Sequence, residues 1–123
     1  MAAVLANWVD YSQQPPLRGY IVVGPVGAVC AYVGIPLGSK LDGVHYDDVD
    51  LDVPGGLTFS SAGDNGSFPA GWYWLGWDYG HHDNVLWNPL NAGGMAFRRP
   101  PTEEVRTHVE AAMAQVRALL EAD

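Results

Sequence analysis

Fifteen glycines and nine prolines interrupt this 123-residue chain, and they limit regular structure to a few short elements joined by turns. Nevertheless 48% of the residues are hydrophobic, and they include five Trp, six Tyr and three Phe. That much apolar surface can offset the entropy of ordering a chain of this size. We therefore expect one folded domain, residues 1–123.

Apolar stretches between turn residues predict the strands. Residues 19–24 and 27–35 are rich in Val, Ile and Tyr on either side of Gly24-Pro25, which is typical of a hairpin. Residues 72–79 predict a third strand, whose two faces are Trp72, Trp74 and Gly76, and Tyr73, Leu75, Trp77 and Tyr79. Met95 to Phe97 could add a short edge strand. Residues 1–10 read as a short helix or a first strand, and residues 1–16 as a possible N-terminal arm.

Residues 103–121 predict a long C-terminal helix. One apolar stripe recurs at helical spacing and consists of Val105, Val109, Ala112, Met113, Val116, Leu119 and Leu120. Thr102 is the expected N-cap, and Glu103 and Glu104 complement the helix dipole. The fold class we predict is α+β, an antiparallel sheet of about four or five strands packed against this helix.

Aspartates and aliphatic residues alternate over residues 48–53. A period of two predicts a strand with one buried face. The two sets are Val49, Leu51 and Val53, and Asp48, Asp50 and Asp52. Three carboxylates on one face suit a hard cation such as calcium or magnesium. The alternative is that they form only the solvated face of the strand. A calcium loop is not indicated, because Val53 and Phe59 stand where its Gly and Glu are needed.

The formal net charge of −8 disfavours nucleic acid as a partner, because it repels phosphates. A basic protein surface or a metal ion fits better, although such a charge also serves solubility alone. Cys30 is the only cysteine and lies in an apolar run, where burial would raise its pKa and leave it a poor nucleophile. No signal peptide or membrane span is indicated, so we expect a cytoplasmic protein that does not bind membranes.

A second polar cluster follows the Trp-rich strand. Imidazole ligates transition metals and carboxylates orient it, so Asp78 and His81 are a candidate metal or acid–base pair. The candidate metal ligands are Asp47, Asp78, His81 and His82, with Asp83 beside them. The alternative is that these histidines only cap turns or pack on Trp87. His108 is expected on the helix surface.

Five Trp are more than core filling alone requires, because Trp tends to mark interfaces. The alternatives are core packing and a recognition surface. If the second holds, the candidate binding residues are Asp48, Asp50, Asp52, Trp74, Trp77 and Trp87.

Residues 27–84 resemble an uncharacterised family of small phage and bacterial proteins. The resemblance rests on AYVGIP, YDDVDLDVPGGLTF and WYWLGWDYGHHDN, against the family's G-Y-V-G-V-P, Y-D-D-V-x-V-D-V-H-G-G-L-T-F and W-W-x-G-F-D-C-A-H-A-G-D. The family pattern also has a His in G-H-P after its first motif, where this chain has Ser39. The His before Gly-Gly is Pro54 here, so two of the three pattern histidines are replaced and His81 matches the third. If the family uses these groups for catalysis, the resemblance implies that this divergent member has lost part of the set.

We therefore expect a small, phage-encoded, non-enzymatic binding protein that engages and inhibits or sequesters a bacterial host protein through an acidic, Trp-rich surface. The alternative is a metal-dependent hydrolase or a nucleotide-signal-binding protein of anti-defence type, which would use Asp78, His81, His82 and Asp47. No cofactor is required for the first function, and a divalent metal suits the second.

Overall fold

A five-stranded antiparallel sheet forms the centre of the structure. The structure is a computed structural model, and it describes residues 3–24, 27–62, 68–80 and 100–122, together with the backbone of 85–87 and 95–97. The strands of the sheet are β1 (Ala3–Asp10), β2 (Leu17–Val23), β3 (Val29–Pro36), β4 (Phe59–Ser61) and β5 (Trp72–Asp78), in the order β1-β2-β3-β5-β4. The predicted hairpin is β2–β3. The sequence left open a short helix or a strand for residues 1–10, and the structure shows the strand β1.

Two further short strands lie outside this sheet. β6 (Val85–Trp87) and β7 (Met95–Phe97) pair antiparallel with each other as a separate two-stranded sheet. Met95 to Phe97 is thus a strand, as the sequence predicts.

The helix α1 (Thr102–Glu121) packs across one face of the large sheet. It buries Val105, Val109, Ala112, Met113 and Val116, while Leu119 and Leu120 are partly buried. Each large aliphatic side chain buried in this way contributes about 1.5–3 kcal/mol. The structure therefore confirms the predicted α+β fold, a sheet with one long C-terminal helix.

The helix begins one residue earlier than the sequence suggests. Pro101, not Thr102, is the N-cap, and its carbonyl oxygen accepts hydrogen bonds from the backbone N–H groups of Glu104 and Val105. Thr102 already lies in the first turn, so its side chain cannot cap. At the other end, Lys40 Nζ donates to the carbonyl oxygens of Leu119 and Ala122, which places a cation at the negative end of the helix dipole.

The opposite face of the sheet carries an aromatic cluster. Tyr20, Val22 and Trp74 are buried at its centre, and the partly buried Cys30, Tyr32, Phe59, Phe68 and Trp72 surround them. The two faces of β5 divide as predicted, since Tyr73, Leu75, Trp77 and Tyr79 belong instead to the core beneath α1. The sheet is thus apolar on both sides.

Glycines directly opposite aromatic residues let the rings lie flat on neighbouring strands. Gly76 pairs across the ladder with Tyr32, and a Cβ at Gly76 would lie 2.3 Å from the Tyr32 ring. Gly34 faces Trp74 in the same way, with a corresponding distance of 2.8 Å. Because no side chain fits beneath these rings, glycine is required at both positions.

Candidate functional site

The aspartates that the sequence singles out lie on residues 45–53, which we call the acidic segment. Val49, Leu51 and Val53 are buried in the core under α1, while Asp48, Asp50 and Asp52 are exposed. The predicted alternation of burial is thus correct. The predicted strand is wrong, because Tyr46–Asp48 form a 3₁₀ turn and the remaining residues have no ladder partner.

Side-chain hydrogen bonds hold the first half of this segment in place. His45 Nδ1 accepts from Asp47 N at 3.1 Å and so caps the 3₁₀ turn. Tyr46 N donates to Ser60 Oγ at 3.1 Å, and Tyr73 Oη donates to the Val44 carbonyl oxygen at 2.6 Å. These contacts attach the segment to β4 and β5.

The second half of the segment is attached to α1. The Gln115 side chain accepts from Asp52 N at 2.7 Å and donates to the Asp52 carbonyl oxygen at 2.9 Å. Pro54 and two glycines then end the segment in a tight turn, where Gly55 and Gly56 have φ of 76° and 81°. Only glycine adopts such angles readily, so the turn fixes where the segment ends. The carboxylates of Asp48, Asp50 and Asp52 therefore project from an ordered backbone.

No Lys or Arg among the described residues forms an ion pair with Asp47, Asp48, Asp50 or Asp52. Asp47 Oδ2 lies 3.8 Å from Nδ1 of His45, and both side chains are largely exposed. Asp42, just before the segment, accepts from Gly38 N at 2.8 Å. The segment is consequently a patch of negative charge that neighbouring cations of the described chain leave uncompensated.

The tryptophans of β5 do not join this patch. Trp74 and Trp77 are 0% and 1% exposed, so they cannot contact a partner, and their proposed role as binding residues is incorrect. They also point to opposite faces of the sheet, because strand residues an odd number apart alternate in direction. The side chain of Trp87 lies outside the described residues.

Asp78 ends β5 beside a small cavity on the aromatic face. The cavity has a volume of about 190 Å³ and is lined by Cys30, Tyr32, Thr58, Phe59, Trp77 and Asp78. Asp78 Oδ1 accepts from Gly80 N at 3.1 Å. Burial raises the pKa values of the Cys30 thiol and the Tyr32 hydroxyl, so both groups remain protonated near neutral pH. Cys30 is thus a poor nucleophile, as the sequence predicts.

Part of the second polar cluster lies outside the described residues, namely His81, His82 and Asp83. Asp47 is exposed on the 3₁₀ turn, and Asp78 lies at the end of β5. In the described part of the chain, no three His, Cys, Asp or Glu side chains are grouped so as to hold a metal ion.

A buried polar chain that sequence reasoning missed joins β5 to α1. Trp77 Nε1 donates to Tyr79 Oη at 3.1 Å, and Tyr79 Oη lies 2.7 Å from His108 Nδ1. His108 is therefore half-buried and stacked on Tyr79. From the sequence, in contrast, we expected it on the helix surface. The available signal was its spacing from Val105, Met113 and Val116, which places it at the border of the apolar stripe. Burial also desolvates the Tyr79 hydroxyl and raises its pKa.

No protein-family model matches the chain, and neither a curated protein nor a solved structure shows significant similarity to it. Within the described residues, no helix combines the length and apolar character needed to cross a membrane.

Proposed function

We propose that this chain is a non-enzymatic binding protein that engages a basic protein surface through its acidic segment. The observation that carries the proposal is the ordered display of four exposed carboxylates, those of Asp47, Asp48, Asp50 and Asp52. Because buried aliphatic residues and the Gln115 hydrogen bonds already fix the backbone, a partner need not order it, and binding loses less conformational entropy.

Electrostatics favours a cationic protein over other partners. The net charge of −8 repels nucleic acid and attracts a basic surface, which speeds encounter. Contact area beside the carboxylates comes from the His45 and Tyr46 rings, whose centroids are 4.2 Å apart on the same segment. These two rings take the place of the buried tryptophans in our interpretation of the binding surface.

The resemblance to phage and bacterial proteins supports a bacterial host protein as the partner, met in the host cytoplasm. A protein of this size that covers a basic surface blocks whatever that surface binds. We therefore propose inhibition or sequestration of the host protein as the biological role.

The experiment is a quantitative affinity capture from bacterial lysate with two matched variants. The first replaces Asp47, Asp48, Asp50 and Asp52 with Asn, and the control replaces Glu103, Glu104, Glu110 and Glu121 of α1 with Gln, so that both lose four negative charges. We expect a basic protein to be captured by the wild type and by the control at low salt, and to be lost from the Asn variant. That protein, once purified, should bind with salt-dependent affinity and lose its own activity in the complex.

Equal capture by the two variants would mean that only net charge matters, and it would contradict a specific acidic site. A lysate in which no captured protein depends on the acidic segment contradicts the proposal altogether.

A further inference from the structure

The edge of the large sheet at β1 is long and apolar, and no described strand pairs with its outer side. β1 has eight residues, whereas the opposite edge, β4, has three. Residues 3–9 contain no Pro and no charged side chain, which are the usual means of protecting an edge strand. Val4 and Leu5 on this strand are 55% and 37% exposed. Such an edge favours addition of another strand.

The large side chains of β1 turn away from this edge. The Trp8 ring lies over Gly19 of β2, where a Cβ would come within 2.4 Å of it, and the Arg106 guanidinium stacks 4.2 Å from the ring centroid. Asn7 Oδ1 accepts from Arg18 Nε, also on β2, at 2.9 Å. Both side chains are thus held over the neighbouring strand, and neither shields the outer backbone of β1.

A bulge leaves one uninterrupted pairing run on this strand. The register with β2 shifts between Val4 and Ala6, so residues 6–10 form the regular part of β1. Among the described strands, β1 pairs with β2 alone.

We propose that β1 pairs antiparallel with β1 of a second copy of this chain, about a two-fold axis near Trp8. This arrangement places Ala6 of one copy opposite Asp10 of the other and joins two five-stranded sheets into one. Residues 6, 8 and 10 share the face that α1 covers, so pairing them with each other keeps both helices on the same side.

Charge does not oppose a second copy at this edge, despite the net charge of −8. Around β1, Arg18, Arg106 and Arg117 nearly balance Asp10 and Glu110. The acidic segment, in contrast, is attached through its first half to β4, at the opposite edge of the sheet, and through its second half to Gln115 of α1. Two copies can therefore meet at β1 while their most negative surfaces stay far apart.

A groove beside the strand enlarges the contact. It has a volume of about 370 Å³ and runs between β1, the turn that follows it and α1, with Trp8, Val9, Gln13, Arg106 and Glu110 among its lining residues. A stable interface buries about 800 Å² per partner, which is more than five paired residues supply. In the proposed dimer, the second copy would cover this groove and the exposed Val4 and Leu5, and these contacts would supply the rest of the buried area.

The test is the mass of the purified full chain in solution, measured by light scattering and sedimentation over a range of concentrations. We expect a dimer for the wild type, and a monomer for Val4→Lys/Leu5→Lys, whose two exposed positions tolerate lysine without unfolding. The control Leu37→Lys alters a residue that is 51% exposed on a loop, and it should remain dimeric. Circular dichroism confirms that each variant is folded.

Hydrogen exchange provides the second measurement. Outward-pointing amides of residues 6–10 should become protected as the concentration rises, and they should lose that protection in the lysine variant. A wild type that stays monomeric overturns the proposal, and so does a dimer that persists unchanged in Val4→Lys/Leu5→Lys. None of these measurements requires a host partner, so this proposal and the proposed function fail separately.

Discussion

Tyr79 shows how one hydroxyl links the sheet to the helix. The indole of Trp77 can only donate, so it donates to Tyr79 Oη at 3.1 Å. The same hydroxyl lies 2.7 Å from His108 Nδ1, so it forms a second hydrogen bond, to a side chain of α1. Because a hydroxyl can both accept and donate, Tyr79 serves both neighbours at once.

Tyr79→Phe should lower the free energy of unfolding by about 1–3 kcal/mol, because it leaves the buried Trp77 N–H without an acceptor. Urea denaturation monitored by fluorescence measures the change. Tyr11→Phe is the control, because Tyr11 is 72% exposed and should lose nothing. Equal stability of the Tyr79 variant and the wild type would show that Trp77 finds another acceptor at no cost.

Gly76→Ala should destabilise the protein by about 1–3 kcal/mol, because the new methyl group collides with the Tyr32 ring. The loss should become smaller in a Tyr32→Ala background, where only the tighter-than-usual contact with the Ala31 carbonyl oxygen, at 3.1 Å, remains. A double-mutant cycle measures that coupling. Gly24→Ala is the control, since a Cβ there meets no atom closer than 3.7 Å. A full loss that persists without the ring would contradict the steric explanation.

The sequence predicted which side chains are buried more reliably than it predicted which are exposed. The apolar stripe of α1 and the two faces of β5 follow directly from side-chain periodicity, and the structure confirms both. Periodicity could not decide between the two alternatives for Trp74 and Trp77, core packing and a recognition surface, because indoles suit both interfaces and cores. The choice depends on the neighbouring strands and on Gly34, which opens space for Trp74.

Among the elements, the acidic segment shows where sequence periodicity stops being informative. Its period of two correctly placed Val49, Leu51 and Val53 inward. Periodicity reports which side chains are buried, however, and not which backbone groups form hydrogen bonds. Here Gln115 of α1, which is distant in sequence, supplies hydrogen bonds that a neighbouring strand would otherwise make.

Gln115→Ala should weaken the attachment of the acidic segment to α1 and lower the free energy of unfolding by about 1–2 kcal/mol, because two hydrogen bonds to Asp52 are lost. Hydrogen exchange at residues 50–53 should accelerate, while exchange in β2 and β3 changes only with global stability. Ala111→Ser, an exposed change on the same helix, is the control. Unchanged exchange at Asp52 would show that the aliphatic anchors alone hold the segment.

The junction between β1, its following turn and α1 should depend on pH. Hydrogen bonds from Ser12 and the ion pair with Arg117 lower the pKa of Asp10 from 3.8 to about 2. Because the folded-state pKa lies below the unfolded value, this stabilisation is complete above about pH 4 and is lost as the pH falls towards 2. Arg117 also donates to the Pro15 carbonyl oxygen at 2.8 Å and so fixes the turn.

Asp10→Asn should therefore be less stable than the wild type at pH 7, and the difference should shrink steadily below pH 4. Denaturation of both proteins at a series of pH values gives this difference directly. Glu121→Gln, on the last turn of the helix, is the control for the loss of one carboxylate outside this junction. A gap between Asp10→Asn and the wild type that stays constant down to pH 3 would contradict the role of the Asp10 carboxylate.

At the scale of the whole molecule, charge is distributed unevenly. The arginines Arg18, Arg106 and Arg117 lie around β1, and the carboxylates of the acidic segment lie towards β4. Like charges concentrated in this way oppose folding, because the compact state holds them close together. A segment retained at a cost in stability is consistent with a role in binding.

Replacing Asp47, Asp48, Asp50 and Asp52 with Asn should accordingly raise the free energy of unfolding at low salt, by about 1 kcal/mol in total. The gain should diminish as salt is added, because salt screens the repulsion that the substitution removes. Thermal denaturation at two ionic strengths measures both effects. A loss of stability in the Asn variant would mean that the carboxylates support the fold, and it would weaken their assignment to a partner.

The pairing of glycines with rings across neighbouring strands also restricts how the chain can diverge. Trp8 with Gly19, Tyr32 with Gly76, and Trp74 with Gly34 each occupy one shared volume. A larger residue in place of the glycine becomes tolerable once the ring has shrunk, whereas the larger residue alone, with the ring still present, is disfavoured. Homologous sequences should therefore exchange the two members of each pair together, and such correlated substitution would trace the sheet register through evolution.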